Sequence, residues 1–393
     1  MSAIVDDHDD HDDQEQLDRL DQPDYRTHWL HLILTPGLGA ARIFSLLRRF
    51  GLPENILSSS LEVLSLELGP DLARRLKAEN PQRRAAIDLN LNWSRKPNHH
   101  LLALGDDLYP GALLHLTDPP PLLWAIGNLD LLTKPAVGIV GSRHATRGGI
   151  NHAREFARSL GDANRTIISG MARGIDAAAH EGGLQSGSST IAVLAHGLEK
   201  MYPASNRALG LSIAAKGLLL SEFGIGSLPL RDHFPRRNRL IAALSEGVLV
   251  VEAARHSGSL ITARLAADLG RDVYAVPGSI DSPLSKGCHH LIKQGAKLID
   301  CAADILNELS PSGLAFASPV LSRDERKNRA VCNQEATFDP VLNSLGWDPA
   351  SVDELSSRGD LAIADLNAQL IMLELAGKVE RLADGRFRRL ASA

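Results

Sequence analysis

Phe234-Pro-Arg-Arg-Asn-Arg-Leu-Ile-Ala242, then Gly247-Val-Leu-Val-Val-Glu-Ala253, then Ser257-Gly-Ser-Leu-Ile-Thr262 is the stretch that decides how this chain is read. An aromatic ring and three arginines stand directly ahead of an apolar helix. A strand apolar on both faces follows, and a turn of small residues opens the next helix. Such a turn leaves backbone N–H groups free to face an anion. Arginines beside it add charge and a planar fork of donors. The pattern predicts a phosphate site, and the flat ring of Phe234 points to phosphate carried by a nucleic acid.

The same alternation continues outward in both directions. Strand candidates are Ala136–Val140, Arg165–Ile168, Thr190–Leu194, Gly217–Leu220, Gly247–Val251, Asp272–Val276 and Lys297–Ile299, with helical stretches at 149–161, 175–186, 205–216, 236–245, 259–270 and 287–294. Near-continuous Val/Ile/Leu strands separated by helices predict an α/β fold, an extended Rossmann-like, doubly wound, mostly parallel sheet over residues 100–309. The proline-rich segment 106–130 predicts extended chain or an edge strand leading into it.

On the N-terminal side, residues 25–95 carry apolar positions at i, i+3 and i+4 and predict a helical domain. Its Thr35-Pro-Gly-Leu-Gly-Ala-Ala-Arg42 has the look of a helix-hairpin-helix turn, which offers amides to DNA phosphate, or of a plain helix–helix turn. On the C-terminal side, residues 310–338 read as a linker. Residues 339–393 read as three helices and a hairpin at Asp384-Gly385, a winged-helix-like module.

Composition narrows the class. No apolar run approaches the roughly 20 residues that span a bilayer, and the acidic start is not that of a secretory signal. Cys288, Cys301 and Cys332 lie far apart without a CxxC spacing. They predict reduced thiols, a cytoplasmic location and no zinc site. Residues 1–24 hold ten Asp/Glu against Arg19, and taking that −9 from the chain's −5 leaves the remainder at +4. The tail reads as disordered, with His8 and His11 at most a weak metal site. The folded part is mildly basic, which suits a nucleic acid.

Ligands of such sheets bind outside the carboxyl ends of the strands. Four strand-end turns are rich in small and cationic residues: Gly141-Ser142-Arg143 through Thr146, Ser169-Gly170 through Asp176, Ser257-Gly258 through Thr262, and Pro277-Gly278 through Ser285-Lys286-Gly287. The first is not GxGxxG, because Ser142 and Arg143 stand where a pyrophosphate needs bare backbone. A dinucleotide is therefore disfavoured, and Arg143 is placed to pair with a single phosphate. Arg237, Asn238 and Arg239 add to this polyanion groove, with His289 near Lys286 as packing or a further phosphate contact. Asp176 and His180 stand at i, i+4, a spacing open to a metal, though a cap and a packed histidine explain them better. Glu252 reads as an anchor for Arg237 or Arg239 rather than a general base. No GxSxG elbow or Walker A sequence is present, and no cofactor or metal is expected. Phe234 is the well-placed aromatic for a base.

Taken in order, these motifs closely resemble the DNA-processing protein A (DprA/Smf) family of bacteria. The series is Val140-Gly-Ser-Arg-His-Ala-Thr146, Ser169-Gly-Met-Ala-Arg-Gly-Ile-Asp176 to His180, Tyr202-Pro203, Ser221-Glu222, Phe234 to Arg239, Glu252-Ala253, Ser257 to Thr262, and Gly270 to Gly278. The likeness is dense over about 105–306 and looser in the SAM-like and winged-helix flanks. It implies single-stranded DNA binding without catalysis, loading of RecA recombinase in natural transformation, and a homodimer. The family's strand contacts map onto Arg143, Ser169, Gly170, Phe234, Arg237, Asn238, Ser257, Gly258 and Lys286. His289 stands where an asparagine is usual, and Ala195-His196 where a glycine-containing pair is common. Two other classes compete. Nucleotide hydrolases of the lysine-decarboxylase-like (LOG) family are similar in fold, but their PGGxGTxxE glutamate finds Leu265 here. A scaffold with a vestigial sheet would not need Arg143, Arg237 and Lys286 together.

Overall fold

The computed structural model describes residues 24–309 and 340–390, apart from 347, 360–361 and 383. The acidic tail up to residue 23, the linker and Cys332 lie outside the described residues. The chain divides into two compact units, one running to Ile126 with His196–Glu199 and Leu220–Leu228 added, the other holding the rest.

In the first unit, α1 (Arg26–Ile33), α2 (Ala40–Phe50), α3 (Pro53–Ser58), α4 (Leu61–Leu68), α5 (Pro70–Lys77) and α6 (Pro81–Ser94) follow one another closely. Prolines open α3, α5 and α6, where a missing N–H costs nothing. Ser60 and Asn80 accept from the backbone N–H of Val63 and Arg83 as caps. The stripe Leu32, Ile43, Leu46, Ile56, Leu64 and Leu76 closes over one core. The Thr35–Arg42 segment is a helix–helix turn tied into that core. Buried Arg83 donates to Thr35 Oγ1 at 3.1 Å and to the Arg75 carbonyl at 3.0 Å.

Two strands complete this part, β1 (His99–Ala103) and β2 (Leu122–Gly127), paired antiparallel. The proline-rich segment supplies β2 as expected. β1 was not among the sequence candidates, since five residues without alternation carry no period to detect. Trp124 is fully buried, and its indole N–H donates to Asn90 Oδ1 at 2.8 Å.

The second unit carries β3 (Ala136–Val140), α7 (Arg147–Asp162), β4 (Thr166–Ser169), α8 (Ile175–Gln185), β5 (Thr190–Leu194) and α9 (Arg207–Lys216). After β6 (Leu218–Ser221) come α10 (His233–Leu244), β7 (Gly247–Val250), α11 (Ser259–Asp268), β8 (Asp272–Ala275), α12 (Lys286–Lys293), β9 (Lys297–Leu298) and α13 (Ala302–Leu309). Parallel ladders set the order β5-β4-β3-β7-β8-β9. The chain winds outward from β3 to β5, then returns to the other side of β3 with β7. Strand order therefore reverses between β3 and β7, and a crevice opens where the loops after those strands part. β3, β4, β5 and β7 are buried along their whole length, which is why their apolar runs are unbroken. α10 begins earlier than the sequence suggested, at His233, so Phe234 and Pro235 belong to its first turn.

Beyond the linker, α14 (Pro340–Leu345), α15 (Val352–Gly359) and α16 (Ile363–Leu375) precede a hairpin of β10 (Val379–Arg381) and β11 (Phe387–Arg389). Ser351 and Glu354 form a reciprocal capping box at the start of α15. Val341, Leu345, Leu355, Leu370 and Phe387 share a small core.

Asn90→Ala would strand the buried Trp124 N–H without an acceptor. A loss of about 1–3 kcal/mol is expected in chemical denaturation followed by tryptophan fluorescence. An unchanged midpoint would show that the bond contributes nothing.

Candidate nucleic-acid interface

A groove of about 530 Å³ occupies the crevice between the loops after β3 and β7. Gly141, Ser142 and Arg143 line one side, and Arg255, His256, Ser257 and Gly258 line the other. Phe234 and Asn238, both half-buried on α10, line it as well. Residues separated by more than a hundred positions thus meet because β3 and β7 are neighbours.

Arg143 is exposed, and its guanidinium carbon lies 5.5 Å from the centroid of the Phe234 ring. The Tyr202 ring stands 6.3 Å beyond, tilted by 59°. An exposed cation–π contact of this kind contributes about 0.5–1 kcal/mol. It holds Arg143 over a flat apolar face while leaving N–H donors open. Across the groove Ser257 Oγ and Ser259 Oγ lie 2.7 Å apart, and Asn238 Nδ2 reaches the Gly258 carbonyl at 3.5 Å. Ser142 Oγ accepts from the His144 N–H at 3.1 Å, so it shapes its turn.

Several of the sequence candidates sit beneath the surface. Ser169 is buried and donates to the Ile139 carbonyl at 2.6 Å. Thr262 is 1% exposed and Arg239 is also buried. Arg237 is 4% exposed and donates through Nη1 to the Val193 carbonyl at 3.0 Å. Gly170 exists to let it pass: a methyl there would stand 1.6 Å from Arg237 Nη1. Their side chains build the groove's floor and support rather than its open face. The sequence could not separate them, because Arg236 to Arg239 read alike until the helix assigns each a side. Arg236 faces solvent, as do Arg173 and Arg255. Arg255 and His256, which sequence reasoning passed over, do line the groove. Their one signal was position, directly ahead of the Ser257-Gly-Ser turn.

Lys286 and His289 lie on α12, beside the groove rather than in its lining. The Gly287 N–H donates to the Ala253 carbonyl at 2.8 Å and seats the helix against the end of β7. Lys286 is exposed with its Nζ donating to the Ile280 carbonyl, and His289 Nε2 lies 3.0 Å from the Gly278 carbonyl.

Glu252 corrects the expectation that it anchors Arg237 or Arg239. Its carboxylate accepts from Thr146 N–H at 2.9 Å and Thr146 Oγ1 at 2.6 Å. Thr146 Oγ1 in turn accepts from the Gly149 N–H. A carboxylate thus caps the positive end of α7, and Gly149 lacks a Cβ that would stand 2.4 Å from Glu252 Cδ. The place a dinucleotide pyrophosphate would take already holds a negative charge.

Asp176 and His180 keep separate company. Asp176 Oδ2 accepts from Ala172 N–H at 3.3 Å. Burial raises its carboxyl pKa, and the nearby Arg237 charge opposes that shift. Burial, foremost, and the Asp176 charge in opposition leave the Arg237 guanidinium pulled down to about 10. His180 Nδ1 lies 2.8 Å from Thr190 Oγ1, which itself donates to the Ile167 carbonyl. Nδ1 therefore carries the proton, and Nε2, left as an acceptor, is buried without a donor. Burial, then Arg237, lowers His180 to about 3. Asp300, Cys301 and Asp304 also cluster, but Asp304 Oδ2 accepts from the Asp300 and Cys301 amides as a helix-start turn does.

The fold and the crevice define the class: a Rossmann-type protein with a cation-lined groove at its switch point. A family model for DNA recombination-mediator protein A matches residues 100–310, and one for the DprA winged helix domain matches 325–385. The chain belongs to this DprA/Smf family. Protein Smf of Escherichia coli K12 is 40% identical over 306 residues, covering 78% of this chain and 81% of that protein. The DNA processing protein DprA of Streptococcus pneumoniae is 47% identical over 220 residues, 56% of this chain and 77% of the relative. The X-ray structure of DprA from that species superposes with a TM-score of 0.60 at 40% identity, covering 72% of this chain and 97% of the other. DNA processing protein A from Helicobacter pylori, solved for its single-stranded DNA binding mode, gives 0.50 at 32% identity, over 55% and 97%.

Two outcomes are expected. Gly170→Ala should displace the buried guanidinium and cost about 3 kcal/mol or more. Thermal unfolding reads this, and a midpoint equal to that of Ser257→Ala would refute the packing role. His180, with a folded value far below its ordinary 6.5, stabilises fully above pH 6.5 and loses that contribution as the pH falls from there toward 3. NMR titration of its ring should show no midpoint near 6.5; finding one would mean the ring is not held neutral.

Proposed function

We propose that this chain binds single-stranded DNA in the switch-point groove, protects it, and loads RecA recombinase onto it during natural transformation. The observation that carries the reading is Arg143 held over Phe234 in a groove that Arg255 also lines, whose one acid, Asp176, is buried beside Arg237. Phosphates supply affinity from both banks, and the Phe234 ring offers a base a stacking surface. Relatives of the same family carry DNA processing in their names, and the Helicobacter structure concerns that protein's single-stranded DNA binding.

The reading is of a binder and not an enzyme. Glu252, the acid nearest a catalytic position, is spent on Thr146, and Leu265 stands where a LOG-type hydrolase has its glutamate. A homodimer fits the terminal strand β9, which ladders on β8, and the adjoining 950 Å³ cavity of mixed charge, lined by Arg264, Arg271, Asp268 and Asp272 among others. Among the described residues no helix is long and apolar enough to cross a membrane, and a cytoplasmic protein is proposed.

Fluorescence anisotropy with labelled single strands across a salt series tests this. Arg143→Ala and Arg255→Ala should each weaken binding and reduce the salt slope by about 0.7. Phe234→Ala should cost about 1–3 kcal/mol on a normal strand and much less on an abasic one. Binding indifferent to all three variants would remove the groove, and sedimentation of the same samples reads the dimer. A RecA filament-nucleation assay on the same strands reads loading, and no acceleration by the intact protein would sink that part.

A further inference from the structure

Helix α16, Ile363-Ala-Asp-Leu-Asn-Ala-Gln-Leu-Ile-Met-Leu-Glu-Leu375, uses only part of its apolar content for the core of its domain. Leu366, Leu370 and Leu373 face inward. On the outside, Ile371 is 56% exposed, Met372 69% and Leu375 80%. With exposed Ala364 and Ala368 they recur at i, i+4, i+7, i+8 and i+11, the spacing of one helix face. Scattered surface leucines need no explanation, but a continuous stripe of this kind does.

In a winged-helix domain the third helix is the one that enters a DNA groove, and it then carries arginines, lysines or amides toward phosphates and bases. α16 has no Lys, Arg or His, and it carries Asp365 and Glu374. A polyanion is repelled there. The cations of this domain's hairpin, Lys378, Arg381, Arg386, Arg388 and Arg389 against Glu380 and Asp384, lie off this helix, and two of them are paired, Arg386 with Asp384 and Arg388 with Glu380. A second copy of the same face fits poorly too. Both charged residues of the helix are acids, so a second copy brings no opposite charge to them.

We infer that the outer face of α16 docks a protein partner through an amphipathic helix with apolar anchors and a Lys/Arg rim. From Ala364 to Leu375 the stripe runs roughly 16 Å, so about three turns of partner helix cover it. Met372 is the adaptable element, unbranched and polarizable, and suits a surface that must mould to a helix. The module then recruits protein while the Rossmann groove keeps the nucleic acid.

The test uses the full chain and two fluorescein-labelled amphipathic peptides of about 14 residues, one of Leu and Lys, the other of Leu and Glu at the same spacing. The Lys peptide should bind, and Met372→Ser/Leu375→Ser should weaken it about tenfold with an unchanged thermal midpoint. Asp365→Lys/Glu374→Lys should exchange the preference to the Glu peptide. Equal binding by intact and serine-substituted protein overturns the inference, as does equal binding of both peptides. Self-association lost in the serine variant would make the face a copy-to-copy interface. A fall in single-strand affinity in that variant would make it a DNA surface. Either also overturns the proposal.

Discussion

Arg237 is the interaction on which the rest of the larger unit leans. A guanidinium taken out of water is costly unless its surroundings replace the water. Here the Val193 carbonyl accepts from it, Gly170 gives it room, and Asp176 supplies opposing charge. Those groups come from the ends of β4 and β5 and the start of α8, while the arginine itself rides on α10. One buried cation thereby ties the strand ends that form the floor of the groove. His180 must stay neutral in the same neighbourhood, and its bond to Thr190 gives it a tautomer that can.

The strand order sets the second constraint. Reversal between β3 and β7 parts the loops that follow them, and no other place in the parallel ladder opens in this way. A dinucleotide-binding protein would put a pyrophosphate on the helix that follows β3. This chain puts the Glu252 carboxylate there, shared with Thr146 and admitted by Gly149. Cations are displaced to the exposed banks, at Arg143 and Arg255, where a strand of phosphates can run past them.

Charge differs between elements as well. Cations line the switch-point groove, whereas α16 presents apolar and acidic residues. A winged-helix fold does not by itself imply DNA readout, and the side chains it presents bear on the matter.

Much of this was legible in the chain itself. Unbroken Val/Ile/Leu runs marked the buried parallel strands, the periods marked the helices, and small residues after strands marked the turns, because backbone geometry and burial act locally along a sequence. The motif Phe234 to Thr262 likewise held residues that the fold gathers into one groove. Tertiary structure alone decided which of Arg236, Arg237 and Arg239 met solvent, that Glu252 served Thr146 rather than an arginine, and that Arg255 and His256 entered the groove. Those outcomes depend on which strand ends become neighbours and which side of a helix turns inward. A buried and an exposed arginine have the same letter, and only the packed surroundings set one beneath a groove and the other on its bank.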